Sequence, residues 1–125
     1  MIRLHFVATI KGMIRKSSDD MSNLQSRIQE IESRIQQACD RANRKRSDIE
    51  VVAVTKSVSA KRTEEMLAAG FTHLGENRPD GFLNKLKQID EEAQWHFIGN
   101  LQSRRVKDLI EDVSHIHSLI RISIA

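Results

Sequence analysis

Residues 51–58 read VVAVTKSV. An unbroken run of apolar and β-branched residues, with no polar alternation, is the pattern of a strand covered on both faces, as in a parallel sheet flanked by helices. The run closes on Thr55, and a lysine, Lys56, stands where it ends. Outward from this stretch the same unit recurs. Strands are expected over 49–55, 72–76, 95–98 and 115–119, with helical patterns over 60–69, 79–89 and from 103 onward. Strand starts spaced by about 20–25 residues with helices between them are the rhythm of βα units and a parallel sheet.

Local signals agree with this frame. Ser22 and Gln25 form an S-x-x-Q capping box, and Leu24, Ile28, Ile31, Ile35, Ala38 and Ala42 then make one apolar stripe of a long helix over 22–42. Cys39 falls at the margin of that stripe, where a buried, inert thiol is expected. Ser59 is placed as an N-cap and Gly70 as the residue just past the end of the second helix. Pro79 suits a first helical position, ahead of a face made by Phe82, Leu83, Leu86 and Ile89. Ser103 is expected to cap a helix carrying Val106, Leu109 and Ile110. The fold class is α/β: a partial (βα) TIM-type barrel of four βα units preceded by a long N-terminal helix. A closed barrel takes about 250 residues, and this chain has 125.

Composition limits what such a chain can do. With 39% hydrophobic and 30% charged residues it has the balance of a foldable, soluble chain. No run approaches the roughly 18 apolar residues of a membrane span, and one cysteine forms no internal disulfide, so the expected home is the cytoplasm. The formal charge is +3. Four of the basic residues and two aspartates fall in the leader, residues 1–20, leaving a net +1 for residues 21–125. Met13 and Met21 are alternative starts, and the leader is expected to lie outside the fold formed by 21–125. The basic clusters Arg41, Arg44, Lys45, Arg46 and Arg104, Arg105, Lys107 lack interleaved aromatics, which favours solvated helix ends over a nucleic-acid-binding or anion-binding module.

In parallel α/β folds ligands bind at the carboxyl ends of the strands. Three polar clusters follow the strands there: Lys56-Ser57, Gly75-Glu76-Asn77 and Gly99-Asn100. An amine above an apolar floor loses hydration in its charged form, which favours the neutral nucleophile that bonds to an aldehyde. The plainer reading has Lys56 reaching into solvent or pairing with an acid such as Glu76. His115 and His117 point the same way on one strand, but no third metal ligand is evident beside them.

The segments AVTKSVS at 53–59, HLGEN at 73–77, WHFIGNLQSRR at 95–105 and IHSL at 116–119 occur in an order and spacing that resemble the YggS/PROSC-type pyridoxal phosphate homeostasis proteins, which carry an alanine racemase N-terminal-type barrel. The resemblance runs from about Met21 to the end and corresponds to the N-terminal half of the family. It implies a pyridoxal 5′-phosphate-binding protein of cofactor homeostasis, without robust catalysis of its own. Lys56 would hold the cofactor as a reversible Schiff base, Asn77 would lie near it, and His96 and Ile98 belong to the motif facing the same mouth. Taken alone, His96 reads first as a packed strand histidine. The racemisation of related enzymes uses a tyrosine, and this chain has none.

Two departures stand against the family pattern. Its phosphate-binding segment belongs to later βα loops than those in this sequence, and Ile120 occupies a position where the family has aspartate. A half barrel would also expose its fourth strand, where IHSLIRISIA forms an apolar edge able to pair with another copy. The alternative expectation is therefore a truncated fragment that associates through this edge without binding the cofactor.

Overall fold

The computed structural model describes residues 4–9, 21–90 and 92–118. Its elements run β1 (Leu4–Thr9), α1 (Met21–Arg41), a 3-10 turn (Arg46–Asp48), β2 (Ile49–Val54), α2 (Ala60–Ala68), β3 (His73–Glu76), α3 (Pro79–Gln88) and β4 (Gln94–Phe97). A second 3-10 turn (Ser103–Arg105), α4 (Val106–Leu109) and β5 (His115–Ile116) follow. The five strands pair in the order β1-β2-β3-β4-β5, and every pairing is parallel. Each helix carries the chain to the adjacent strand, with no reversal of strand order. That succession is the building rule of a βα barrel and differs from a doubly wound sheet, whose order reverses at a switch point.

The leader departs from expectation. Residues 1–20 are expected outside the fold, yet Leu4–Thr9 lies alongside β2 with six paired positions, from Leu4 opposite Ile49 to Thr9 opposite Val54. The edge of β2 otherwise presents unpaired backbone donors and acceptors, and a short β-prone segment such as LHFVAT can satisfy them.

Strand residues alternate between two faces. Ala53, Leu74, Trp95 and Phe97 point toward the helices and join Met66, Leu67, Phe82, Leu101 and Leu109 in the main apolar cluster. Phe82 of α3 meets Trp95 edge-on, with ring centroids 5.3 Å apart, so the third helix sits directly on β4. Leu24 of α1 belongs to the same cluster, with Ile28 packed against it. Farther along α1 the apolar stripe turns away: Ala38 and Ala42 are exposed, and Cys39 is the buried residue. Arg46 fastens this end of α1, its guanidinium donating to both carboxylate oxygens of Glu32 at 2.9 and 2.8 Å. That hydrogen bonding raises the Arg46 pKa above its ordinary value.

The helix boundaries follow the sequence signals closely. Ser59 caps α2, its hydroxyl accepting from the Arg62 N–H at 3.3 Å. Gly70, just past the helix, has φ +100°, a conformation that favours glycine. Pro79 is the first residue of α3. Ser103 differs from expectation, since it opens a 3-10 turn ahead of α4, and Ile110 is exposed. The side chain of Ser22 and residues 119–125, with Ile120, lie outside the described residues.

Candidate functional site

The register assembles the mouth. Val54 pairs with Gly75, and Gly75 with His96. Two residues farther along each strand direction, Lys56, Asn77 and Ile98 fall into one row. Backbone pairing continues toward that row, with the Thr55 N–H donating to the Gly75 carbonyl at 3.0 Å and the Ile98 N–H to the Glu76 carbonyl at 2.8 Å. Lys56 is exposed, whereas Asn77 and Ile98 are half-buried. The desolvated setting expected around the Lys56 amine is not formed by the described residues. His96 is buried one step below the row.

Gly99 locks two of the three loops together. A Cβ at this position would stand 2.2 Å from the Asn77 carbonyl oxygen and 2.9 Å from its Cα. Only glycine admits so close an approach of backbone to backbone. The glycine of HFIG thus lets the asparagine of GEN reach its place.

Glu76 does not pair with Lys56. Its carboxylate is buried on the helix-facing side, where it accepts from the Thr55 hydroxyl at 2.8 Å and forms an ion pair with Lys85 of α3. The Lys85 ammonium also donates to the Thr55 carbonyl. Both charged side chains are nearly sealed from water, at 2% and 8% exposure for Glu76 and Lys85, so the pairing is what makes their burial tolerable. The apolar stripe of α3 contained the signal: Lys85 stands three residues after Phe82 and four before Ile89, on the same face.

The opposite face of the sheet gathers imidazoles. His73 Nδ1 lies 2.9 Å from His96 Nε2, and His96 Nδ1 lies 2.8 Å from His117 Nε2. His115 stacks on His96, with ring centroids 4.4 Å apart and planes 8° from parallel. Glu50 Oε2 stands 3.3 Å from His73 Nε2 at the amino end. The backbone register makes His5 the partner of Glu50. The neighbours that His115 and His117 lacked in sequence are therefore supplied by strands 20 or so residues away, through parallel pairing.

The second basic cluster is tied internally. Arg105 donates to Asp80 and to Asp108, each at 2.7 Å, and the bond to Asp80, followed by that to Asp108, raises its pKa. Arg104 donates to the Gln102 side chain at 3.0 Å. This arrangement leaves less of the cluster to receive an external anion.

No family model matches the chain. Individual proteins do. Over 104 residues the chain is 38% identical to a pyridoxal phosphate homeostasis protein of Aquifex aeolicus, covering 82% of this chain and 46% of that protein. A protein so named from Pseudomonas aeruginosa is 33% identical over 106 residues, covering 84% and 46%. The chain is a relative of the pyridoxal phosphate homeostasis proteins. It spans about half the length of the curated relatives it matches. Among solved structures, PipY of Synechococcus elongatus PCC7942, determined with PLP bound, is 32% identical with a TM-score of 0.56, covering 58% of this chain and 35% of PipY. A protein of unknown function from Bifidobacterium adolescentis shares the fold, with a TM-score of 0.74 and 22% identity over 90% of this chain and 51% of its own.

Proposed function

We propose that this chain binds pyridoxal 5′-phosphate at the carboxyl ends of β2, β3 and β4 and serves to hold the cofactor, a reading supported by relatives named for pyridoxal phosphate homeostasis and by PipY, determined with PLP bound. The observation that carries this reading is the row of Lys56, Asn77 and Ile98 on three adjacent strands. Two lysines approach the end of β2, and they are not equivalent. Lys85 is buried and committed to Glu76, so its amine is unavailable, while Lys56 is exposed. The cofactor brings an aldehyde, which bonds reversibly to a primary amine. Lys56 is the residue assigned to that bond as a Schiff base. Asn77 borders it with a polar amide positioned by Gly99, Ile98 supplies an apolar wall, and His96 supports the floor from below. Reversible holding requires no acid or base on either side of a substrate carbon, so no catalytic residue is assigned.

The test is chemical trapping. The purified chain is mixed with pyridoxal 5′-phosphate, reduced with borohydride and digested, and the adduct is located by mass spectrometry. A dominant adduct on Lys56, absent from the Lys56→Ala variant, supports the reading. Modification spread equally over exposed lysines in both proteins defeats it.

A second property belongs to the same reading. Among the described residues β5 is an edge strand of the sheet, and it is short, spanning His115–Ile116. We assign self-association in the cytoplasm to this edge. Among the described residues no helix is long and apolar enough to cross a membrane. Sedimentation of the purified chain should reveal a species larger than one copy, and a single monomeric boundary across micromolar concentrations removes the assignment.

A further inference from the structure

The imidazole face ends in a group of donors of which the cofactor site uses one, His96, as the floor beneath its row. Among the described residues, Glu50, His73 and His96 each offer one ligand atom, and these atoms all lie within 4.8 Å of one another. We propose that these three residues form a binding site for a first-row divalent transition-metal ion of the Zn²⁺ or Co²⁺ type, at the amino-terminal side of the sheet and apart from the mouth around Lys56.

The donor chemistry favours such an ion. Two imidazoles and one carboxylate are borderline ligands that suit zinc and its neighbours, whereas calcium and magnesium take oxygen donors. A tetrahedral ion with bonds of about 2.0–2.1 Å needs ligand atoms about 3.4 Å apart. The edge from Glu50 to His73 Nε2 is already 3.3 Å, and rotation of the His73 and His96 side chains is needed to bring His96 Nε2, which now faces His73 Nδ1, to the same ion. The metal then replaces the hydrogen bond between those two rings.

The surroundings are those of a supported ligand set. Metal-ligating histidines commonly donate their second ring N–H to a neighbour that fixes the tautomer. His117 Nε2, 2.8 Å from His96 Nδ1, can accept that proton and leave the His96 Nε2 lone pair for the ion. His115, stacked flat against His96, fixes the ring plane. A cleft of about 370 Å³, lined by Glu50 and His73 among others, gives the ion a way in from the amino ends of β2 and β3. Arg46 borders the same cleft, but its charge is balanced by the two-point contact with Glu32.

The experiment uses the full chain and Co²⁺ as the probe. One Co²⁺ per chain should bind, with a visible d–d band that Zn²⁺ abolishes by displacement. Glu50→Gln and His73→Gln, both at partly exposed positions, should each weaken binding by at least about tenfold, the smaller end of what losing even a supporting partner costs. His115→Gln, which removes a stacked ring and no ligand, should keep the band and weaken binding less than either ligand variant. A nitrogen-detected NMR titration of the wild type requires no variant to fold: Zn²⁺ should shift the ring nitrogens of His73 and His96. Absence of the band, or those ring nitrogens unmoved by Zn²⁺, overturns the proposal. Trapping reads the adduct on Lys56 and the d–d band reads the metal, so failure of one leaves the other standing.

Discussion

The two faces of the sheet are made from the same strands and do opposite things. Toward the helices, Ala53, Leu74, Trp95 and Phe97 close an apolar layer into which the ion pair of Glu76 with Lys85 is set. On the other face, the alternate residues of the same strands are Val52, Val54, His73, Gly75, His96 and Ile98, continuing into Asn77 and Lys56. Stability is concentrated on the first face and chemistry on the second, because a period of two lets one strand serve both. The two lysines express the contrast: one is spent as a structural charge, the other is left exposed at the mouth.

The largest expected effect comes from breaking the helix-facing side. Lys85→Met leaves the Glu76 carboxylate buried without its ion partner, and truncating one member of a buried pair costs about 3–5 kcal/mol. Urea unfolding should register that loss, and adding Glu76→Leu should recover most of it. A single variant as stable as the parent would mean that Lys85 contributes no pairing. Next in size is Gly99→Ala, in which the new methyl collides with Asn77 backbone and should cost about 1–3 kcal/mol by overpacking. It should also reduce cofactor trapping at Lys56, because Asn77 is displaced; unchanged trapping would separate the two loops.

Smaller effects sharpen the comparison from the other side. Ser59→Ala removes the hydroxyl that caps α2 and should lower stability by about 1 kcal/mol, read as a shift in unfolding midpoint, with trapping unaffected. Lys56→Ala should change stability by no more than about 0.5 kcal/mol, as exposed substitutions usually do, yet remove the borohydride adduct. A large stability loss in that variant would place Lys56 among structural residues instead.

Much of the helix-facing side was legible residue by residue. The unbroken run at 51–54, the cap at Ser59, the glycine at 70 and the proline at 79 are local signals, each satisfied by its own few neighbours. The stripe of α3 was read correctly at Phe82 and Ile89 but missed Lys85, because a charge within an apolar stripe makes sense only once its partner is known. Of the two plainer alternatives for Lys56, solvent or an acid such as Glu76, the structure has the first, since alternation turns Glu76 toward α3 and Lys56 away from it. The pairing of Leu4–Thr9 was not legible for a related reason: a six-residue strand has weak signals of its own, and its pairing with β2 depends on an edge that exists only after folding.

The sequence by itself determined the alternation of strands and helices, their approximate bounds and the row of motifs that relates this chain to the homeostasis proteins, because periodicity, capping and motif order are properties of neighbouring residues. Tertiary structure alone decided which lysine is buried, that Gly99 must yield to the Asn77 backbone, and that histidines at 73, 96, 115 and 117 meet. Those contacts join residues on different strands, and only parallel register and the choice of face bring their side chains within bonding distance.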